Sequence, residues 1–102
     1  MKIKVEEFPD EQMFTAVIEE NQDSPETVGL PVGEMMYIPR DAYLDVYHTG
    51  IKPEFEGLGL ASQLAKGAMD IVRKNGRKVY PRCPYLQHWL DKHPDYSDVV
   101  YE

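Results

Sequence analysis

Two glycines separated by one residue, Gly57 and Gly59 in EGLGLAS (residues 56–62), stand immediately before a helical pattern. A helix N-terminus carries main-chain N–H groups without partners and a partial positive charge. Glycines there let an anionic group approach the backbone, so residues 57–62 can hold a phosphate or diphosphate through amides alone. The same turn also serves as an ordinary connector, because short glycine motifs recur by chance. Two further side chains can move a proton or attack a carbonyl. Cys83 precedes Pro84, a residue favoured in the first turn of a helix. A thiol at that place ionises more readily and becomes nucleophilic, although a lone cysteine is also commonly a small buried apolar group. His48 ends a strand-like run; its imidazole can act as a base near neutral pH or bond within the strand-to-loop junction. Glu54 and Glu56 flank the turn and read as solvated loop charge.

Several chemistries are excluded by pattern. No Gly-Lys-Ser/Thr follows the glycines, so this is not a nucleotide-triphosphate loop, and no third glycine completes a dinucleotide fingerprint. His88 and His93 are out of phase for a helical metal pair, and with one cysteine there is neither a disulfide nor a multi-cysteine zinc site; we expect no metal. The net charge of -7 argues against gripping a nucleic acid over a broad surface. The first residues lack the apolar run of a signal peptide, and no window approaches the roughly 18 apolar residues of a spanning helix. The expected setting is therefore the cytoplasm, without membrane contact. The 102 residues, 42% hydrophobic and 28% charged, suit one small domain, residues 1–102.

The elements that must position these residues follow from periodicity. MKIKVEEF (1–8) and MFTAVIEE (13–20) alternate apolar and polar residues and lie at hairpin distance, the first as an edge strand. NQDSPETVGLP (21–31) is a loop. GEMMYIP (33–39) and AYLDVYHTGI (42–51) make a second hairpin. From Leu60 to Val72 the apolar residues switch to a helical stripe, closed by Asn75-Gly76. RKVYPRC (77–83) reads as a fifth strand and PYLQHWLDKH (84–93) as a second helix with Leu86, Trp89 and Leu90 in the core; the tail (95–102) is a short strand or a loose end. The order ββββαβα predicts an α+β fold: a mixed, mostly antiparallel sheet of about five strands with two helices, and a right-handed crossover that makes the fourth and fifth strands parallel.

A glycine turn after the fourth strand of an antiparallel run resembles the acetyl-CoA signature of the GNAT superfamily of N-acetyltransferases, Gln/Arg-x-x-Gly-x-Gly/Ala. It would run here from Glu56 to Ala61: Gly59 and Ala61 match, and an acid replaces the Gln or Arg. Over nearly the whole chain the sequence is similar to the small single-domain GNAT-like proteins of the YjdJ type. The marks are His48-Thr49, Pro53-Glu54-Phe55-Glu56-Gly57-Leu58-Gly59, Pro81-Arg82-Cys83-Pro84-Tyr85 and His93-Pro94-Asp95-Tyr96, in that order.

The resemblance implies a fold, a cofactor and an activity. Acetyl-CoA would lay its diphosphate on Gly57, Leu58, Gly59, Leu60, Ala61 and Ser62 and its pantetheine arm beside Thr49, in a wedge between the fourth and fifth strands. Pro81 and Pro84 lack N–H donors and weaken pairing where that wedge should open. Cys83, His48 and Tyr85 become the catalytic candidates, with Tyr85 protonating the departing thiolate or simply packing its helix on the sheet. Met35-Met36 is strand core or one wall of the acceptor side. Only PDEQ separates the first two strands, where larger relatives insert helices, so the acceptor side should be open. That suits a protruding lysine or N-terminus, and the acidic surface suits a cationic acceptor such as a basic peptide or polyamine. The expected state is a monomer or weak homodimer. The competing expectation is a CoA-binding regulatory module without turnover.

Overall fold

The computed structural model describes all 102 residues. Strands β1 (Lys2–Phe8), β2 (Met13–Glu20), β3 (Pro31–Pro39) and β4 (Leu44–Ile51) come first. Helix α1 (Leu60–Lys74), strand β5 (Val79–Pro81) and helix α2 (Pro84–Lys92) follow, and a 3-10 turn spans Pro94–Val99. The sheet order is β1-β2-β3-β4-β5, antiparallel through β4 and parallel between β4 and β5. This is the α+β meander with one crossover that the sequence pattern predicts.

Alternation decides which face is buried. Phe14, Ala16 and Ile18 of β2 are buried while Met13, Thr15 and Val17 are only half-buried. Onto the buried face packs α1, through Leu60, Leu64, Ala65, Ala68, Met69 and Val72. Against α1 and β4 lies α2, burying Leu86, Trp89 and Leu90. Both helices therefore cover the same side of the sheet.

Three boundaries differ from the sequence pattern. Residues 77–83 read as a strand, but β5 holds only Val79–Pro81: Arg77 leaves the sheet to meet Glu7, and Cys83 already caps α2. β4 starts at Leu44 rather than 42, because the Arg40 amide bonds the Tyr43 carbonyl in the hairpin turn, and β3 starts earlier, at Pro31. The tail joins both alternatives: after the 3-10 turn it makes a single parallel bridge, Val79 to Val100.

Gly67 faces β1 so closely that a Cβ placed there would lie 2.5 Å from Val5 Cγ2. In an open helix, glycine to alanine stabilises by about 1 kcal/mol. Here overpacking opposes propensity, and Gly67→Ala is expected to destabilise by about 1–2 kcal/mol net. Urea midpoints check this, and in a Val5→Ala background the same change should turn neutral or stabilising.

The other tie between β1 and the rest is polar. The Glu7 carboxylate, nearly buried, accepts from Arg77 Nη1 and Nη2, the shorter bond 2.6 Å, and from the Tyr37 hydroxyl. Burial alone would push the Glu7 pKa up, but the bonds from Arg77 and Tyr37 outweigh it and hold the pKa below its ordinary value. Tyr37 is pushed up to about 12, by burial first and then by the Glu7 carboxylate.

Candidate functional site

The site is built at the N-terminus of α1 and at the gap between β4 and β5. Gly59 is the N-cap of α1 with φ +74°, and Gly57 has φ +79°, both in the left-handed region that glycine enters without strain. No side chain caps the helix and no acid stands in its first turn. None of the amides of residues 57–62 donates to a main-chain or side-chain acceptor of the protein. A hollow of about 210 Å³ opens in front of them, lined also by Ile51, Glu56 and Tyr85, with no cationic side chain on its wall. Beyond both glycines the positions a Cβ would take are open space. Such a cradle of free N–H groups suits the oxygens of a phosphate and leaves room for a diphosphate to lie against the backbone.

β4 and β5 pair over three residues only, Leu44–Val79, Asp45–Tyr80 and Val46–Pro81. The final contact is the Cys83 amide on the Val46 carbonyl, 2.9 Å. Residues 47–51 of β4 have no β5 partner, so the sheet is split from that point to the end of β4. A β-bulge lies at the same place: Met36 pairs with His48 but Tyr37 with Val46, leaving Tyr47 as the extra residue. Bulges bend a strand and re-aim its side chains. Here Tyr47 and His48 are both exposed on the uncovered face, and Thr49 turns inward.

Cys83 is buried at the N-cap of α2, its Sγ 3.6 Å from Thr49 Oγ1 across the split. Tyr85, two residues on in the first turn of α2, is half-buried and lines the hollow at α1. Burial, and then the neighbouring Cys83, raise its pKa, which keeps the hydroxyl protonated at neutral pH. Cys83, Thr49, Tyr85 and residues 57–62 thus flank the split on the helix-covered face of the sheet. His48 does not join them: it stands on the opposite face, its Nε2 3.6 Å from Glu34 Oε2. No sequence pattern marks Glu34, since only the register across the bulge brings it to His48. Also missed was the bond from Trp89 Nε1 to Ser62 Oγ, 3.0 Å, which ties α2 to the first turn of α1. Below the split, Asp45 accepts from Arg82 at 2.9 Å and from Arg40, and chiefly the Arg82 bond holds its pKa low against burial.

A family model described as GCN5-related N-acetyl-transferase matches residues 25–99, from the loop before β3 to the end of the 3-10 turn. The chain belongs to the GCN5-related N-acetyltransferase family. Among curated proteins it is similar to Protein NATD1 of Xenopus tropicalis, 37% identical over 51 residues, which is 50% of this chain and 47% of that protein. Protein NATD1 of Gallus gallus and of Homo sapiens are each 33% identical over 51 residues, 46% and 45% of their lengths. The chain spans about half the length of the curated relatives it matches. The NMR solution structure of a GCN5-like protein from Staphylococcus aureus superposes with a TM-score of 0.65 at 23% identity, covering 96% of this chain and 87% of that one. At that identity the likeness concerns the fold. For this member of the family the likeness concerns the α+β fold with its five-stranded mixed sheet. No helix in it is long and apolar enough to cross a membrane.

Proposed function

We propose that the chain, as one domain, transfers an acetyl group from acetyl-CoA to an amine. The observation that carries this is the run of unpaired amides at residues 57–62 beside a β4–β5 split whose inner end holds Cys83. The amides would bind the diphosphate. The unpaired edge of β4 from residue 47 to residue 51 would hold the pantetheine arm as an added strand, leading inward past Thr49. When bound, acetyl-CoA supplies an activated acetyl thioester. Tyr85, kept protonated, donates its proton to the departing thiolate. Cys83 is the protein nucleophile available at the same point, and His48 accepts the proton of the incoming amine from the other face.

The experiment is incubation with acetyl-labelled acetyl-CoA and an amine panel of basic peptides and polyamines, followed by intact-mass analysis of the protein. Label passed to an amine supports the proposal, whether or not Cys83 is labelled on the way. Binding by calorimetry without transfer to any amine or to Cys83 supports the alternative, a CoA-binding regulatory module, which the absence of any helix over the outer sheet face favours. No binding overturns both.

A further inference from the structure

α1 and α2 share one side of the sheet, and no helix crosses the other. On that open face the strand registers set out two rows running across the strands. One is Phe8, Met13, Met36 and His48, each paired with the next. The adjacent one is Glu6, Thr15, Glu34 and Gly50. The first row is apolar until it reaches the imidazole; Phe8 is 41% exposed, and Met13 and Met36 are half-buried. The second carries carboxylates. Glu6 has Lys4 as a partner at 4.0 Å, whereas Glu34 meets no lysine or arginine and faces only His48. The pair converges over Gly50, where any Cβ would lie 2.7 Å from Glu34 Oε2 and 2.9 Å from His48 Nε2. Both rows therefore end at the split, His48 on the open face and Cys83, beyond Thr49, on the covered one.

We propose that this open face is a docking surface for an extended basic peptide, and that Glu34 and His48 together receive the ammonium of one of its lysines. The proposal rests on the acetyltransferase reading for its chemistry but not for its binding. Charge selects the occupant: a carboxylate with no lysine or arginine partner, in a chain of net charge -7, draws a cation. Shape selects it too. A flat face gives a small free amine few contacts, whereas alternate side chains of an extended segment can lie along Met36, Met13 and Phe8 while a lysine reaches the split. The lysine ammonium gives one proton to the His48 imidazole, with Glu34 beside it balancing the charge. The nitrogen lone pair then forms the C–N bond as the thioester C–S bond breaks. The nitrogen gives its second proton to solvent, the departing thiolate takes one from Tyr85, and the Tyr85 phenolate recovers one from solvent.

The test titrates an N-acetylated, C-amidated heptapeptide of alternating lysine and leucine into the 15N-labelled protein without cofactor, then measures transfer with acetyl-CoA. Backbone shifts confined to Met13, Glu34, Met36, His48 and their neighbours are expected. Glu34→Gln should weaken peptide binding at least about tenfold, and Met13→Lys should weaken it comparably, with the affinity for acetyl-CoA unchanged in both. Shifts elsewhere, no shifts, or unaltered binding by Glu34→Gln overturn the proposal. So does a higher kcat/KM for free spermidine than for the peptide, which would assign the face to small amines. Peptide binding at this face without turnover would leave the docking surface standing and remove the enzyme reading instead.

Discussion

Gly59→Glu is expected to bind acetyl-CoA at least about a hundredfold more weakly than the unaltered chain, a loss of about 3 kcal/mol or more. Two effects add. Gly59 has φ +74°, so a residue with a Cβ is strained there by about 1–2 kcal/mol. The new carboxylate would also stand before the free amides of residues 57–62, repelling a diphosphate and competing for the same donors. It meets no steric obstacle, because the space beyond Gly59 is open. Gly59→Asn is the control: asparagine enters the left-handed region comparatively easily and carries no charge. Its affinity should stay within about fivefold of the original. Calorimetric titration of the three proteins, each first shown to unfold cooperatively, decides it. Equal affinity in Gly59→Glu would mean that the anion does not sit on these amides.

The largest stability effect is expected at the opposite end of α1. Glu7→Gln leaves the Arg77 guanidinium, about one-third exposed, without its counter-charge, while a neutral amide replaces the carboxylate between Arg77 and Tyr37. Breaking a fully buried pair costs about 3–5 kcal/mol. With solvent reaching Arg77, about 2–3 kcal/mol is expected, or roughly 10–20 °C in Tm for a chain of this size. The pH dependence has two limbs. Glu7 titrates in the folded protein below its unfolded value, so its contribution is present above about pH 4 and disappears as pH falls through the folded pKa. Tyr37 is raised, so its contribution is complete below about pH 10 and disappears as pH rises towards the folded value of about 12. Urea midpoints from acid to alkaline pH should show both declines. Glu7→Gln should start lower, lose the acid limb that Glu7 supplies and make the alkaline limb shallower, since burial still raises Tyr37; the acid decline due to Asp45, Asp70 and Asp98 remains.

What the sequence disclosed depended on range. The helical stripe from Leu60 to Val72 and the alternation of Phe14, Ala16 and Ile18 are local signals, and the elements formed where the periods put them. The glycine turn was legible for the same reason, since Gly57 and Gly59 announce a left-handed backbone directly. Register was not legible. The extra residue at Tyr47 fixes which face His48 and Thr49 take, and nothing in YHTG signals it, because a bulge is set by the partner strand. That is why the sequence grouped His48 with Cys83 while the fold sets them on opposite faces, and why Glu34 escaped notice. The length of β5 was overestimated because Arg77 has strand-like neighbours, yet its pairing partner is Glu7, 70 positions away. The spacing of Leu86, Trp89 and Leu90 marks Trp89 as core, but the destination of its indole N–H depends on how α2 lies against α1.

That indole gives the molecule a built-in optical reporter. Trp89 is the one tryptophan in the chain, and its N–H is anchored to Ser62 within the turn whose amides stand free. Any ligand that draws the Ser62 hydroxyl towards itself must lengthen or redirect that bond, and the chromophore's emission will change with it. Occupancy of the helix end can thus be followed by light alone, with no dye attached and no assumption about turnover.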